Sequence, residues 1–193
     1  MCAPRPVVAV DVDGVINAVG EDATISHLIP LPEDAHPINP FFLGREAVAV
    51  ALVPAAAEFF MAAADADLRW ASAWEHLADA VGHLIGIGPL PLAVDSDRRP
   101  AHAGESEVEW KAASIRAAIA PDAPLVWVDD VADPALMADR AGPTLVIAPD
   151  PRVGLTFAHV RLVADFLQQH TAAHSRTHVA TMGRTPSTNG VSA

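Results

Sequence analysis

Short apolar runs alternate with segments of helical periodicity along most of the chain. Five such runs predict strands, at Pro6–Val12, Leu68–Ala71, Leu90–Val94, Leu125–Val128 and Thr144–Ala148. Apolar residues spaced three and four apart predict helices over Ala55–Ala64, Trp74–Ile85, Glu105–Ala120 and Phe157–His170. Strands that alternate with helices indicate an α/β fold, with a mostly parallel sheet and helices on both faces.

The segment between the first predicted strand and the first predicted helix has no helical period. Ala23–Leu31 and Ala47–Val53 are rich in β-forming residues, and a proline-bearing loop around Pro37 separates them. This pattern predicts a β-hairpin flap over about 17–53. The segment is too short for a separate globular unit, so no large cap domain is expected.

The end of the chain differs from the rest in composition. From Thr171 it is rich in Ser, Thr, Ala and Gly, and it contains no acidic residue. Such a segment cannot bury a core, so we expect a disordered tail over 171–193 and one folded domain over 1–170.

Polar side chains follow three of the predicted strands. Asp11 and Asp13 end the first strand, Ser72 follows the second, and Asp129 and Asp130 follow the fourth. The carboxyl ends of parallel strands form one edge of the sheet, where open α/β proteins bind ligands. Alternation places Asp11 and Asp13 on the same side. Two close carboxylates repel unless a cation lies between them, so this edge predicts a metal site; the alternatives are solvated acidic turns and a serine helix cap.

The charge balance limits the classes of partner. The net charge of −12 argues against an extended basic surface for nucleic acid and against binding to an anionic membrane. Eleven arginines accompany a single lysine, Lys111, which indicates a position where a compact point charge is needed. The alternative for Lys111 is an ordinary place on a solvated helix face.

Cysteine content and hydropathy suggest a cytoplasmic protein. Cys2 is the only cysteine, so no intrachain disulfide can form, which fits a reducing compartment. The apolar run before Asp11 is too short for a signal peptide. The apolar stretch Ala47–Ala64 contains Pro54 and Glu58, which argues against a membrane span. The sequence says nothing about oligomeric state.

Four motifs occur in the order used by the haloacid dehalogenase-like (HAD) superfamily of phosphohydrolases, which the chain resembles from about Val7 to Leu155. They are DVDGVIN at 11–17, Ser72, Lys111 and the aspartate pair at 129–130. The strings WASAW at 70–74 and DPRVGLT at 150–156 resemble a bacterial subgroup related to the HAD domains associated with RNA-repair proteins. The resemblance implies a Rossmann-like catalytic domain that hydrolyses a phosphomonoester with Mg²⁺.

The resemblance also implies roles for the acidic residues. Asp11 would attack phosphorus and form an aspartyl-phosphate, while Asp13 would protonate the leaving oxygen and later activate water. Mg²⁺ would be held by Asp11, the main-chain carbonyl of Asp13 and Asp129. Asp130 would hold a metal-bound water or the ammonium of Lys111.

Further residues would bind the substrate. Ser72 and the amides after it, beginning with Ala73, would hold phosphoryl oxygens, and Lys111 would offset the charge repulsion and orient Asp11. The expected substrates are phosphorylated small molecules, including nucleotides, and phosphate ends of nucleic acids. Other candidates for contact with substrate are Arg98, Arg99, Arg152, His76 and His102, for which surface positions are the alternative.

Two other functions remain open. A phospho-accepting signalling domain also combines acids, a hydroxyl and a lysine, but in such domains the lysine follows the hydroxyl near the end of the domain. Here Lys111 precedes Asp129 and Asp130. A catalytically silent HAD fold that only binds ligands is the second alternative. A dehalogenase is disfavoured, because Asp13 would have no role in displacing halide from carbon.

Overall fold

A computed structural model describes residues 4–21, 23–31, 46–99 and 107–182, and confirms the α/β class. Its strands are β1 (Val7–Val10), β2 (His27–Pro30), β3 (Ala47–Val50), β4 (Asp67–Trp70), β5 (Leu125–Val128) and β6 (Thr144–Ile147). Its helices are α1 (Ala56–Ala62), α2 (Ala78–Leu84), α3 (Glu107–Ala118) and α4 (Phe157–Met182). Four strands form a parallel sheet in the order β4-β1-β5-β6, an arrangement compatible with a Rossmann-like fold.

The strand order creates a crevice beside β1. The chain passes from β1 to β4 on one side of β1, and later places β5 on its other side. In open α/β sheets, ligands bind outside the carboxyl ends of the strands at such a reversal of strand order. The ends of β1 and β5 therefore define the place where a site is expected.

The sheet is held by two apolar layers, one on each face. β1 and β5 are buried along their whole length, as expected for central parallel strands. On one face, Val8 and Val10 share a core with Phe59 of α1 and Val163 of α4. On the other face, Trp127 of β5 packs in a core that includes residues of α3.

The prediction of a strand at Leu90–Val94 is wrong, because this segment forms only a single isolated β-bridge. Trp70 of β4 donates its backbone N–H to the carbonyl of Pro91 at 2.9 Å, and its own carbonyl accepts from Ala93 at 2.7 Å. The bridge pairs Trp70 with Leu92 and goes no further. Pro91 has no N–H to donate, so the ladder cannot continue through it.

The region of the predicted flap contains an antiparallel pair, β2 and β3, with His27 opposite Val50 and Pro30 opposite Ala47. We call this pair the ribbon. The loop around Pro37 lies outside the described residues.

At the other end of the chain, α4 continues past the predicted end at His170 to Met182. Residues 183–193 lie outside the described part, so the boundary at 170 and the disordered tail stay predictions. None of the helices in the described ranges has both the length and the apolar character that a membrane crossing needs.

We expect Gly14→Ala to destabilise the fold. Gly14 has φ +70°, and a Cβ there would lie 2.4 Å from Cγ of Asp130. The left-handed backbone alone costs a non-glycine residue about 1–2 kcal/mol, and the clash adds to it. The free energy of unfolding, measured by urea denaturation, should therefore fall by at least about 1 kcal/mol. The matched control is Gly88→Ala, because a Cβ at Gly88 meets nothing within 4 Å; equal losses for the two variants would contradict this account.

Candidate active site

Two acidic residues lie side by side at the carboxyl ends of the central strands. Asp11 follows β1 and donates its backbone N–H to the carbonyl of Val128 at 2.9 Å. Asp129 follows β5 and donates its backbone N–H to the carbonyl of Ile147 at 3.1 Å. The strand ladders thus extend just far enough to fix both residues. Their side chains are almost completely buried, at 8% and 0% exposure.

Lys111 of α3 joins these two carboxylates. Its Nζ lies 2.6 Å from Oδ2 of Asp11 and 2.9 Å from Oδ2 of Asp129. A third carboxylate, that of Glu107 one helical turn earlier, lies 3.3 Å from the same ammonium. An ammonium has three protons, and here three carboxylates surround it. The only lysine of the chain is therefore a buried residue at the end of the sheet, and the surface alternative is excluded.

The ionisation of Lys111 depends on these neighbours. Burial alone would lower the pKa of the ammonium, but the negative charges of Asp11, Asp129 and Glu107 together raise its pKa well above the usual value. Lys111 is consequently a permanent cation at neutral pH. It supplies fixed positive charge beside Asp11.

Asp13 is held by two donors from different parts of the chain. The indole N–H of Trp74 donates to its Oδ2 at 2.7 Å, and the side-chain amide of Asn17 donates to its Oδ1 at 2.7 Å. Burial raises the pKa of Asp13, against the lowering effect of these two hydrogen bonds. The carboxyl group is thus fixed in orientation, in surroundings that favour its protonated form.

Asn17 also connects the site to the ribbon. Its side-chain oxygen accepts a hydrogen bond of 2.7 Å from the backbone N–H of Ala51, directly after β3. Asn17 is buried, and both ends of its amide are therefore used. The orientation of Asp13 is coupled in this way to the position of the ribbon.

Asp11, Asp129 and Asp130 form an acidic triad that has the composition of a magnesium site. Each offers a carboxylate oxygen, and these oxygens lie within 4.8 Å of one another. Burial has the larger effect in raising the pKa of Asp129 and Asp130 above the usual value. The repulsion from the negative charge of Asp11 raises both pKa values further. Hard carboxylate oxygens are the ligands that Mg²⁺ prefers, and a cation would relieve this repulsion. The donor set therefore fits Mg²⁺.

The structure revises one expected contact of this cluster. Asp129 rather than Asp130 contacts the ammonium of Lys111. The carboxylate of Asp13 is engaged by Trp74 and Asn17 and is not part of the triad, and metal binding by the main-chain carbonyl of Asp13 stays a prediction.

A cavity of about 430 Å³ opens over this cluster. Its lining includes Asp11, Asp13, Ala73, Trp74, Arg99 and Lys111. Ser72 is not among the described residues that line it. Ser72 is fully buried, and its Oγ accepts a hydrogen bond of 3.2 Å from the backbone N–H of Trp74. The hydroxyl fixes the turn that carries Ala73 and Trp74, and its contact with a phosphoryl group stays a prediction.

Of the remaining sequence candidates, one is among the residues that line the cavity. Arg99 lines it, whereas Arg152 is exposed and paired with Asp150 at 3.2 Å. His76 is exposed after the strand end. The side chain of Arg98, and all of His102, lie outside the described part of the chain.

Sequence reasoning missed three contributors: Asn17, Glu107 and the hydrogen bond from Trp74. The spacing of Glu107 and Lys111, four residues apart on a helix, is a signal for an ion pair that could have been used. Asn17 lies inside the DVDGVIN motif, but its partners are 4 and 34 residues away. Trp74 lies 61 residues from Asp13, and no local pattern predicts that contact.

Comparisons of the chain with known protein families, with curated proteins and with solved structures gave no match. The resemblance to the HAD superfamily therefore depends on the motif residues themselves. Their geometry is the basis on which a function can be argued.

We expect Mg²⁺ to raise the melting temperature of the wild-type protein, because a ligand that binds only the folded state stabilises it by RT ln(1 + [L]/Kd). At 100 times Kd the gain is about 2.7 kcal/mol. Asp129→Asn removes one ligand charge of the triad and should lose most of this gain. Asp139→Asn is the matched control, because Asp139 is exposed and pairs with Arg116. Equal Mg²⁺ shifts in the wild type and in Asp129→Asn would contradict the site.

Proposed function

We propose that this protein is a Mg²⁺-dependent phosphomonoester hydrolase of the HAD type. One observation carries the proposal: the buried ammonium of Lys111 contacts Asp11 and Asp129 at the ends of adjacent parallel strands, beneath a cavity. Positive charge fixed beside a buried carboxylate is what phosphoryl transfer to that carboxylate requires, since the reaction is mainly positioning and charge compensation.

In the first step, a carboxylate oxygen of Asp11 attacks the phosphorus of the substrate. The bond between phosphorus and the leaving oxygen breaks, and the leaving oxygen takes a proton from Asp13. The products are an alcohol and an aspartyl-phosphate on Asp11. Lys111 and the amide of Val12, which donates to Oδ1 of Asp11 at 2.7 Å, orient the nucleophile.

In the second step, water attacks the phosphorus of the aspartyl-phosphate. Asp13 accepts a proton from this water, the bond from phosphorus to Asp11 breaks, and inorganic phosphate leaves. Asp13 returns to its protonated state. Its raised pKa supports the acid role, and the donors Trp74 and Asn17 hold its two oxygens in place.

Asp11, Asp129 and the main-chain carbonyl of Asp13 would hold the Mg²⁺ ion, with Asp130 beside them as a partner for a water ligand. When bound, Mg²⁺ supplies positive charge that offsets repulsion between the nucleophile and a phosphate dianion. The main-chain amide of Ala73, in the turn fixed by Ser72, would bind phosphoryl oxygens, together with the ammonium of Lys111.

The proposal also includes the cover of the site, the extent of the catalytic domain, the cellular compartment and the substrate class. The ribbon would act as the flap over the site, without a large cap domain, and residues 1–170 would be the catalytic domain of a cytoplasmic protein. A cavity of about 430 Å³ has room for a small phosphorylated molecule. A nucleotide or a phosphorylated nucleic acid end is the favoured substrate. The net charge of −12 favours the smaller of these.

We expect Asp11→Asn to abolish phosphatase activity, because an amide is not a nucleophile toward phosphorus. A screen over nucleotides, sugar phosphates and end-phosphorylated oligonucleotides, with Mg²⁺ and with a chelator, measures this loss. Asp139→Asn should keep wild-type turnover, since Asp139 is exposed. Full turnover of Asp11→Asn, or turnover in excess chelator, would overturn the mechanism, and a wild type that binds these compounds without hydrolysis would favour the silent module.

We expect Asp13→Asn to separate the two steps. With p-nitrophenyl phosphate the leaving group needs no proton, so Asp11 should still be phosphorylated, whereas hydrolysis without the base should be slow. Stopped-flow kinetics should show a burst of one equivalent of nitrophenol, followed by a slow phase. A wild type that itself holds a long-lived phosphate on Asp11 would instead favour the phospho-accepting signalling domain.

A further inference from the structure

Glu107 is the most loosely held of the three carboxylates that contact Lys111 in the described part of the chain. Its Oε1 lies 3.3 Å from Nζ of Lys111, whereas the contacts from Asp11 and Asp129 measure 2.6 Å and 2.9 Å. The side chain of Glu107 is 52% exposed, while those of Asp11 and Asp129 are 8% and 0% exposed. Glu107 therefore loses little when its carboxylate turns away from the ammonium, because a half-exposed ion pair contributes little.

The position of Glu107 in its helix lowers the cost of such a movement further. Glu107 is the first residue of α3, and it is one of the residues that line the cavity. An acidic side chain in the first turn of a helix is stabilised by the partial positive charge of the N–H groups there. A carboxylate that leaves Lys111 keeps this favourable position and gains contact with water.

The ammonium of Lys111 already has a carboxylate for each of its protons. An ammonium donates at most three hydrogen bonds, and Asp11, Asp129 and Glu107 all lie within 3.3 Å of it. A phosphoryl oxygen that binds this ammonium must therefore replace one of the three. Loss of the cation would leave Asp11 or Asp129 as an uncompensated buried charge, which is strongly unfavourable. Glu107 is the partner that can leave.

We propose that Glu107 is an exchangeable partner of Lys111, which the phosphoryl group of the substrate displaces on binding and which returns when inorganic phosphate leaves. This inference rests on the proposed phosphatase activity. It adds a residue that limits the affinity of the site for phosphate and so promotes release of the product. The displaced carboxylate also carries one negative charge away from the ammonium as a phosphate dianion arrives, which lowers the repulsion between the two anions.

The test measures inhibition by inorganic phosphate, in the presence of Mg²⁺, for the wild type and for Glu107→Gln. We expect Glu107→Gln to lower the inhibition constant of phosphate, and KM for p-nitrophenyl phosphate, about three- to fivefold, the upper range for an ion pair with an exposed partner. The value of kcat should not rise, because phosphate leaves more slowly.

Glu58→Gln is the matched control for the change in charge. Glu58 is an exposed acid in the first turn of α1, and it is not among the described residues that line the cavity. Its inhibition constant for phosphate should equal that of the wild type. An equal decrease in Glu58→Gln and Glu107→Gln would show that only the net charge of the protein matters, and would refute the exchange.

A third variant, Glu107→Asp, separates exchange at the ammonium from simple charge repulsion. It keeps the negative charge but withdraws the carboxylate by one methylene group, so it should also bind phosphate more tightly than the wild type. If only Glu107→Gln binds phosphate more tightly, repulsion explains the effect and the exchange is refuted. Unchanged or weaker binding of phosphate by Glu107→Gln would refute it as well.

The exchange can be tested even if the wild type proves to have no phosphatase activity. Calorimetric titration of inorganic phosphate with Mg²⁺ into the same four proteins then applies the same criteria. Tighter binding by both Glu107→Gln and Glu107→Asp would support the exchange without the activity. Equal dissociation constants, or no binding by any of the four proteins, would overturn it.

Discussion

The buried ammonium of Lys111 is the interaction on which the site depends. A charged group removed from water is costly unless charged partners surround it, and removal of one partner leaves the others uncompensated. Asp11 and Asp129 are in the converse position: they are two buried negative charges side by side, and they need a cation between them. The helix α3 must therefore pack on the sheet so that Lys111 reaches the ends of β1 and β5.

A second constraint holds the acid–base candidate. Asp13 lies in the turn after β1, and its two oxygens accept from Trp74, which follows β4, and from Asn17, which contacts the end of β3. Gly14 makes this turn possible, because its positive φ and missing Cβ allow Asp130 to approach. The turn after β1, the segment after β4 and the end of β3 are thus linked through one carboxyl group, and a displacement of any of them would misalign it.

The apolar pattern predicted the central strands and the helix bearing Lys111, because each is a continuous local signal. The prediction of a strand at Leu90–Val94 was wrong for a reason that is also local, because Pro91 has no N–H to donate to the hydrogen-bond ladder. Candidate site residues were found wherever polar side chains follow buried strands. Glu107 and Asn17 were not identified as site residues. An acidic residue on a helix and an amide in a turn are frequent in proteins as purely structural features, so neither gives a distinctive signal.

The sequence by itself determined which side chains end the strands and which backbone turns are possible, and it singled out Lys111 as the one lysine beside eleven arginines. Only the tertiary structure decided which of these groups meet. Lys111 lies 100 residues from Asp11 in the chain, and Asp13 lies 61 residues from Trp74. Such contacts depend on strand order and on the packing of α3, which are set by burial of whole faces rather than by any local pattern.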